Sequence, residues 1–241
     1  MTSVITGDII NSRSVINQDV WLKPLKEALQ YISEGDNSKY EIYRGDSFQI
    51  EIEDITYTFI KAMYIKACIK SIKGFDVRLA VGVGDKTHRA HNVSESNGSA
   101  FLNSGSLLDF MKRNKINLRI KSDLITPVDL LSQTKTSKIG SLLYDFDRIF
   151  NLYFRFASVI MDNWTVNSAE TVKLLIAPNV LDSKLERPKQ VSIAEKINLN
   201  QEAVSKRLKR ANIDELLELQ DVYENHTRNL LDILDKKSTQ S

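Results

Sequence analysis

The chain has 241 residues, of which 42% are hydrophobic and 27% are charged, and its formal net charge is +2. This is enough apolar material for a packed core, but the small net charge means that attraction to nucleic acid must come from a local patch. The single cysteine, Cys68, excludes an intramolecular disulfide and a cysteine-based metal cluster. No apolar run approaches the ~18 residues that a membrane span needs. We therefore expect a cytoplasmic protein with no membrane partner.

The first half of the chain alternates strand and helix signals. In chain order, the pattern predicts a strand at 3–6 that ends at Gly7-Asp8, a helix at 21–32, a strand at 40–43, a turn at 44–47 and a strand at 48–53. The strict alternation of that last strand predicts one buried face and one face open to water. A helix at about 55–72, a strand at 77–84, a helix around 100–111 and a short strand at 117–120 follow. This order, β-α-β-β-α-β and then α-β, is the split-βαβ pattern of a ferredoxin-like domain with an extension.

After Pro127 the signals are helical only. The apolar pattern predicts a connecting helix at 139–161 and a second helix at 168–176 that stops before Pro178. The expected fold class is therefore α+β, with a ferredoxin-like domain at 1–126 and a helical connector at 127–163. An all-α helix-turn-helix domain at 164–235 and a disordered tail at 236–241 complete the expected organisation.

The stretch 190–210 carries the most specific signal in the chain. Ser192 and Glu195 have the spacing of a capping box, which predicts a helix that begins at Ser192. Asn198 lies where the chain must turn, because asparagine tolerates the left-handed conformation, and Asn200 can cap a second helix. Four apolar residues at helical spacing are expected to face inward: Ile193, Ile197, Val204 and Leu208.

The outward face of this second helix is predicted to be polar and cationic, with Gln201, Ser205, Lys206, Arg207, Lys209 and Arg210. Amides and hydroxyls can read base edges, and cations can bind guanine or phosphate, so the pattern favours double-stranded DNA as a partner. The alternative is an ordinary helical hairpin with a solvated basic face. Residues 164–211 resemble the helix-turn-helix of bacterial regulators, with Asn198 where that motif usually has glycine.

The last long helical signal, at 214–234, leaves two interpretations open. Its apolar residues lie near one face, so it can pack onto its own domain. The same face can instead form a homodimer, which would suit binding to paired half-sites in DNA.

Two aspartates follow glycines in the first half of the chain, Asp8 after the first strand and Asp46 in the hairpin turn. In a split-βαβ sheet the first strand can lie beside this hairpin, which would bring the two carboxylates together. Such a pair can hold Mg²⁺ or Mn²⁺ against a nucleotide triphosphate. The alternative is that both are turn residues selected for backbone geometry.

Four short motifs occur in the order seen in class III nucleotide cyclases: Gly7-Asp8-Ile9, Gly45-Asp46, the strand 78–84 ending in Gly-x-Gly-Asp, and residues 98–103. More closely, the whole chain resembles the SatD family, bacterial proteins that pair a cyclase-like domain with a C-terminal helix-turn-helix. The resemblance implies metal positions for Asp8 and Asp46, and a nucleotide site that includes Gly7, Gly45 and Asp85. It also implies that Asn103 occupies the position of a catalytic asparagine.

One departure from the cyclase pattern concerns activity. Leu107 stands where cyclases have an arginine that stabilises the charge developing on phosphate, and losing that cation removes a large stabilising contribution. The sequence therefore predicts a DNA-binding transcriptional regulator whose cyclase-like domain senses a nucleotide or is a structural relic. The alternatives are a metal-dependent nucleotidyl cyclase that uses the paired aspartates, and an interaction module that binds only protein.

Overall fold

A computed structural model describes residues 1–43, 45–86, 98–123 and 146–238. A five-stranded sheet lies at its centre, formed by β1 (Thr2–Ile10), β2 (Tyr40–Tyr43), β3 (Ser47–Ile52), β4 (Asp76–Gly84) and β5 (Leu118–Ser122). The order across the sheet is β2-β3-β1-β4-β5. Adjacent strands are antiparallel except β4 and β5, which are parallel.

The described part of the chain contains eight α-helices: α1 (Asp19–Ile32), α2 (Thr58–Lys70), α3 (Ser99–Asn114), α4 (Phe146–Asp162), α5 (Val166–Leu181), α6 (Gln190–Lys196), α7 (Gln201–Arg210) and α8 (Ile213–Ser238). Mixed strands and helices of this kind make an α+β protein. No described helix combines the length and apolar character that crossing a bilayer requires.

Helices cover both faces of the sheet. Val4 and Ile5 are neighbours in β1, so their side chains point to opposite faces. Ile5 belongs to the large apolar cluster that includes α1 and α2, whereas Val4 packs against Ala100 and Phe101 of α3. The sheet is therefore the middle layer of three.

Because α3 covers this face of the sheet, the prediction that one face of β3 is open to water is wrong. Glu51, on the polar face of β3, is buried and pairs with Lys86, whose Nζ lies 2.6 Å from Glu51 Oε2. On the same face, the hydroxyl of Thr6 donates to Ser104 Oγ of α3 at 2.8 Å. The alternating apolar and polar residues of β3 therefore reflect a polar layer under α3, in which side chains replace water as hydrogen-bond partners.

Side chains of α4 form hydrogen bonds with the backbone groups at the edge of β5 that pairs with no described strand. The Asn151 side chain accepts from the Ile120 amide at 3.0 Å and donates to the Ile120 carbonyl at 2.9 Å. One turn earlier, the Asp147 carboxylate accepts from the Ser122 amide at 2.9 Å and from its hydroxyl at 2.6 Å. Burial raises the pKa of Asp147 above its ordinary value, although these two hydrogen bonds act in the opposite direction. The helix thus makes contacts that a sixth strand would make, and it protects an edge that could otherwise pair with another chain.

The C-terminal helix α8 packs onto its own chain. Its residues Ile213, Leu216, Tyr223 and Leu230 are buried, and they belong to the same apolar cluster as the sheet. Tyr223 donates its hydroxyl to the Ile55 carbonyl at 3.2 Å, and Gln220 donates to the Thr56 carbonyl at 3.3 Å. Of the two interpretations left open for this helix, the contacts favour packing within the chain.

Two helix boundaries differ from the sequence prediction. The helix α5 continues through Pro178 to Leu181, because Val180 is buried and holds the last turn in place. The tail, expected to be disordered from Lys236, is helical up to Ser238. Residues 127–145 of the predicted connector, Arg44 of the predicted turn and residues 239–241 lie outside the described residues.

His226 of α8 gives the contact between α8 and α4 a predictable pH dependence. Its ring lies 5.9 Å from that of Phe146 and 5.5 Å from that of Phe150, measured between centroids. Burial lowers the pKa of His226 below its ordinary 6.5, because the protonated imidazole loses solvation. The unfolded chain therefore binds this proton more readily, and the stabilisation present above the unfolded pKa is lost as the pH falls through the folded pKa.

We expect His226→Gln to flatten the decline in the free energy of unfolding between about pH 7 and about pH 5. Urea denaturation at a series of pH values measures this difference between wild type and variant. Parallel declines in the two proteins would contradict the assignment to His226.

Candidate functional site

The helices α6 and α7 meet at a tight turn. Asn198 adopts a positive φ of 52°, and the Leu199 amide donates to the Ala194 carbonyl at 2.9 Å. The side chain of Asn200 accepts from the Ala203 amide at 2.8 Å and caps α7. The predictions for the turn and for this cap are confirmed.

The predicted capping box at the start of α6 is wrong. The helix begins at Gln190, and its N-cap residue Lys189 makes no side-chain hydrogen bond to the helix. Ser192 is therefore the third residue of α6. The Glu195 amide that a Ser192 cap would satisfy already lies within the helix.

Buried apolar residues hold the helix pair in place. Ile193 and Ala194 of α6 and Val204 and Leu208 of α7 are buried, as expected for inward positions. Trp164, which precedes α5, donates its indole N–H to the Ala211 carbonyl just beyond α7 at 2.9 Å. This bond attaches the end of α7 to the start of α5, so the orientation of α7 is set by more than the turn.

Five of the six residues expected on the outward face of α7 are exposed: Gln201, Ser205, Lys206, Lys209 and Arg210. Lys206 pairs with Glu202 one turn earlier, with Nζ 2.6 Å from Oε1, and both side chains are more than two-thirds exposed. Such a surface pair contributes little, so Lys206 can exchange Glu202 for a phosphate at low cost.

Arg207 is the exception among the six. Its side chain is only 18% exposed, and its Nη1 lies 3.2 Å from Glu170 Oε2 of α5. Arg207 therefore links α7 to α5 and does not extend the outward face.

The structure brings Asp8 and Asp46 to one corner of the sheet. Asp8 lies inside β1 opposite Ser47, and the Ile9 amide donates to the Asp46 carbonyl at 3.0 Å. Because β1 extends to Ile10, Gly7-Asp8 is not the end of a strand, whereas Gly45, with a φ of 83°, is in the turn between β2 and β3.

Both carboxylates have protein partners. Asp8 Oδ1 lies 2.8 Å from Lys112 Nζ of α3, and Asp8 Oδ2 lies 3.2 Å from Arg78 Nη1 of β4. Asp46 Oδ2 accepts from the Ser12 hydroxyl at 2.6 Å. Asp8 is therefore already neutralised by two cations.

This arrangement does not fit a divalent metal ion held by Asp8 and Asp46. Two positive side chains beside Asp8 would repel the ion at short range. Within the described ranges, no group of three or more histidine, cysteine, aspartate or glutamate side chains could hold a metal.

The residues implied in nucleotide binding do not gather at one place. Gly7 lies beneath the Phe48 ring, where an added Cβ would be 2.2 Å from Cζ. The absence of a side chain at Gly7 therefore leaves room for Phe48 to pack on the sheet. Asp8 is opposite Arg78 in the ladder, whereas Thr2 is opposite Gly84. Asp85 therefore lies at the other end of the sheet from the aspartate corner.

Two residues of α3 have structural partners. Asn103 is buried and donates to the Val83 carbonyl at 3.3 Å. Leu107, which the cyclase resemblance aligns with an arginine, is buried in an apolar cluster with Ala80.

Sequence reasoning missed Lys66 of α2. Its side chain is 2% exposed, and its Nζ lies 2.5 Å from both Asp76 Oδ1 and Asp162 Oδ1. The helix also carries Lys61 and Lys70, so nothing local distinguishes Lys66, and its partners come from β4 and α4.

The fold and these surfaces define an α+β protein in which a five-stranded sheet shares its core with a C-terminal group of helices, one of them bearing an exposed cationic face. The model of the SatD family matches residues 3–225, so the chain belongs to the SatD family. Searches of curated proteins and of solved structures found no match.

Proposed function

We propose that this protein is a DNA-binding transcriptional regulator that uses α6 and α7 as a helix-turn-helix. In this proposal α7 is the recognition helix, and the sheet with α1, α2 and α3 is a ferredoxin-like, nucleotide-cyclase-like domain. The strand order β2-β3-β1-β4, antiparallel throughout, supports the ferredoxin-like interpretation because a split-βαβ unit followed by a hairpin and a second crossover produces it.

The observation that carries the proposal is the exposed face of α7. Gln201 and Ser205 are one turn apart and offer an amide and a hydroxyl for base edges. Lys206 and Lys209 are three residues apart and offer cations for phosphates. On the other side of the helix, buried Val204 and Leu208 fix its orientation. Four further exposed cations precede α7 in the chain and would broaden the positive surface: Lys184, Arg187, Lys189 and Lys196.

The pair of aspartates suggested a cyclase, but the contacts at this corner of the sheet argue against cyclase turnover. Asp8 is engaged by Arg78 and Lys112, and Leu107 provides no charge at the position of the catalytic arginine. We therefore propose a regulator whose cyclase-like domain has no turnover.

Replacing both Lys206 and Lys209 with alanine is expected to weaken DNA binding by about 1–3 kcal/mol for each lost contact. Fluorescence anisotropy with a labelled duplex from the region upstream of the protein's own coding sequence measures this loss. The slope of log affinity against log salt should also fall by about one for each lost phosphate contact.

The matched control is Lys23→Ala/Lys26→Ala in α1. These lysines are also exposed and three residues apart, and Lys23 has its own partner one turn earlier, Asp19, at 3.3 Å. The control should bind DNA like the wild type. Equal affinities for all three proteins, or no binding by the wild type at moderate salt, would refute the proposal.

A further inference from the structure

A cleft of about 1160 Å³ lies between α3 and α4 beside β5. Four cations line it: Arg119 and Lys121 from β5, and Arg148 and Arg155 from α4. We propose that this cleft binds a small phosphorylated ligand that also carries a flat ring, which is the chemistry of a nucleotide.

The four cations reach the cleft in two pairs. Arg119 and Lys121 are two residues apart in a strand, so they share one face of β5. Arg148 and Arg155 are seven residues apart, which is two helical turns, so they share one face of α4. A ligand with several negative charges can therefore be bound from two sides.

Among the described residues, one carboxylate in the cleft lining interacts electrostatically with these cations: Asp147, with Lys121. In the described part of the chain, none of the four cations lies within 4.0 Å of a carboxylate oxygen. The acidic residue in the lining, Asp147, directs its carboxylate oxygens at Ser122. Arginines that line a cleft and have no carboxylate partner among the described residues are typical of sites for phosphate, which guanidinium groups bind in a two-pronged manner.

The same cleft offers a surface for a ring. Phe110 of α3 lines it and is 39% exposed, so part of its ring is accessible to a ligand. The guanidinium of Arg119 lies over the Phe110 ring, 5.2 Å from its centroid, so one face of the ring is already next to positive charge and a ligand ring would use the remaining exposed surface. Leu152 of α4 adds exposed apolar surface to the lining. A ligand ring on Phe110 would place its phosphates among the arginines.

The volume and the position of the cleft narrow the ligand class. Small-molecule sites commonly measure about 300–1,000 Å³, so the cleft has room for a nucleotide, whereas an isolated phosphate would fill little of it. It is also separate from the aspartate corner, because Lys112 of the same helix reaches Asp8 of β1 while Phe110 meets Arg119 of β5.

Isothermal titration calorimetry of the full chain, at low salt and without divalent metal, tests the proposal with three probes. ATP carries both charge and ring, inorganic tripolyphosphate carries charge alone, and adenosine carries a ring alone. We expect ATP to bind at least ~10-fold more tightly than tripolyphosphate, and adenosine not to bind measurably. Absence of ATP binding, or equal affinity for adenosine and ATP, would overturn the proposal.

Variants then locate the site. Arg148→Ser/Arg155→Ser should weaken ATP and tripolyphosphate at least ~10-fold, whereas Phe110→Ser should weaken ATP alone. Arg113→Ser is the matched control, since Arg113 is an exposed cation of α3 outside the cleft lining. The site is excluded if the double variant binds ATP like the wild type, or if the control loses as much affinity.

The outcome is separable from DNA binding. The variant Lys206→Ala/Lys209→Ala should bind ATP normally, because neither lysine lines the cleft. Normal ATP binding in that variant, together with lost binding in the arginine double variant, would support the cleft whether or not α7 binds DNA. Reduced ATP binding by both variants would instead indicate non-specific attraction of anions and would overturn the proposal.

Discussion

Replacing Lys66 with alanine is expected to lower the free energy of unfolding by about 3–5 kcal/mol. The lysine is almost fully buried between Asp76 and Asp162, so its loss leaves two carboxylates facing each other without their shared cation. It also removes the stem of a long side chain from a close-packed helix. Urea denaturation followed by circular dichroism measures the difference.

The Lys66 network connects three elements of the fold, which is why one substitution has so large an expected effect. Lys66 belongs to α2, Asp76 to β4 and Asp162 to the end of α4. Asp162 also accepts from Asn117 at 2.9 Å, and its backbone carbonyl accepts from Lys70 at 2.7 Å. Without Lys66, the attachment of α4 to the sheet depends on weaker contacts.

Two comparisons make the Lys66 prediction specific. Lys70→Ala should cost less, about 1–2 kcal/mol, because Lys70 is more exposed, its contact with Asp76 is 3.5 Å long and its other bond is to the Asp162 backbone carbonyl. The triple variant Lys66→Met/Asp76→Asn/Asp162→Asn should recover much of the loss, since it leaves no unpaired buried charge. A loss below about 1 kcal/mol for Lys66→Ala would show that water or chain relaxation satisfies the two aspartates.

The order of strands and helices follows from local pattern, but the extent of β1 does not. Residues 3–6 carry the strand signal, and Gly7-Asp8 looks like its end because glycine and aspartate are typical of turns. In the structure, Phe48 of β3 lies over Gly7 and Asp8 is paired with Arg78 across the ladder. Partners from other strands thus continue β1 where its own residues predict a stop.

The candidate interface on α7 likewise has features that local sequence predicts and one that depends on a distant residue. The spacing of Asn198, Val204 and Leu208 is sufficient to predict the turn and the buried side of α7, because these depend on neighbouring residues. The same spacing places Arg207 outward, yet Glu170 of α5 captures it. Helical periodicity gives the direction of a side chain but not the charge that a distant helix brings next to it.

The aspartate corner could be located from sequence, but its chemistry could not. The split-βαβ pattern correctly places Asp8 beside the hairpin that carries Asp46. The cations that occupy Asp8 come from β4 and α3, and neither lies in a motif with Asp8. A pattern of acidic residues alone cannot reveal whether metal ions or protein cations balance them.

Replacing Gly82 with alanine is expected to lower the free energy of unfolding by about 3 kcal/mol. Gly82 lies in β4 directly beneath α3, where an added Cβ would be 2.1 Å from the Ala100 carbonyl oxygen and 2.4 Å from the Ser104 amide nitrogen. Both are backbone atoms of a helix, so no side chain can rotate away and α3 itself must shift. Because α3 also supplies Ser104 to Thr6 and Lys112 to Asp8, that shift disturbs the polar layer as well.

Gly105→Ala is the matched control, because it adds the same methyl group to the helix that Gly82 supports. An added Cβ at Gly105 meets no atom within 4 Å, and alanine is the better helix former, so this variant should be more stable by about 0.5–1 kcal/mol. The two substitutions therefore predict melting temperatures that move in opposite directions from the wild type. A Gly82→Ala protein that melts at or above the wild-type temperature would mean that α3 does not rest on β4 at this position, and the covered face of the sheet would have to be reassigned.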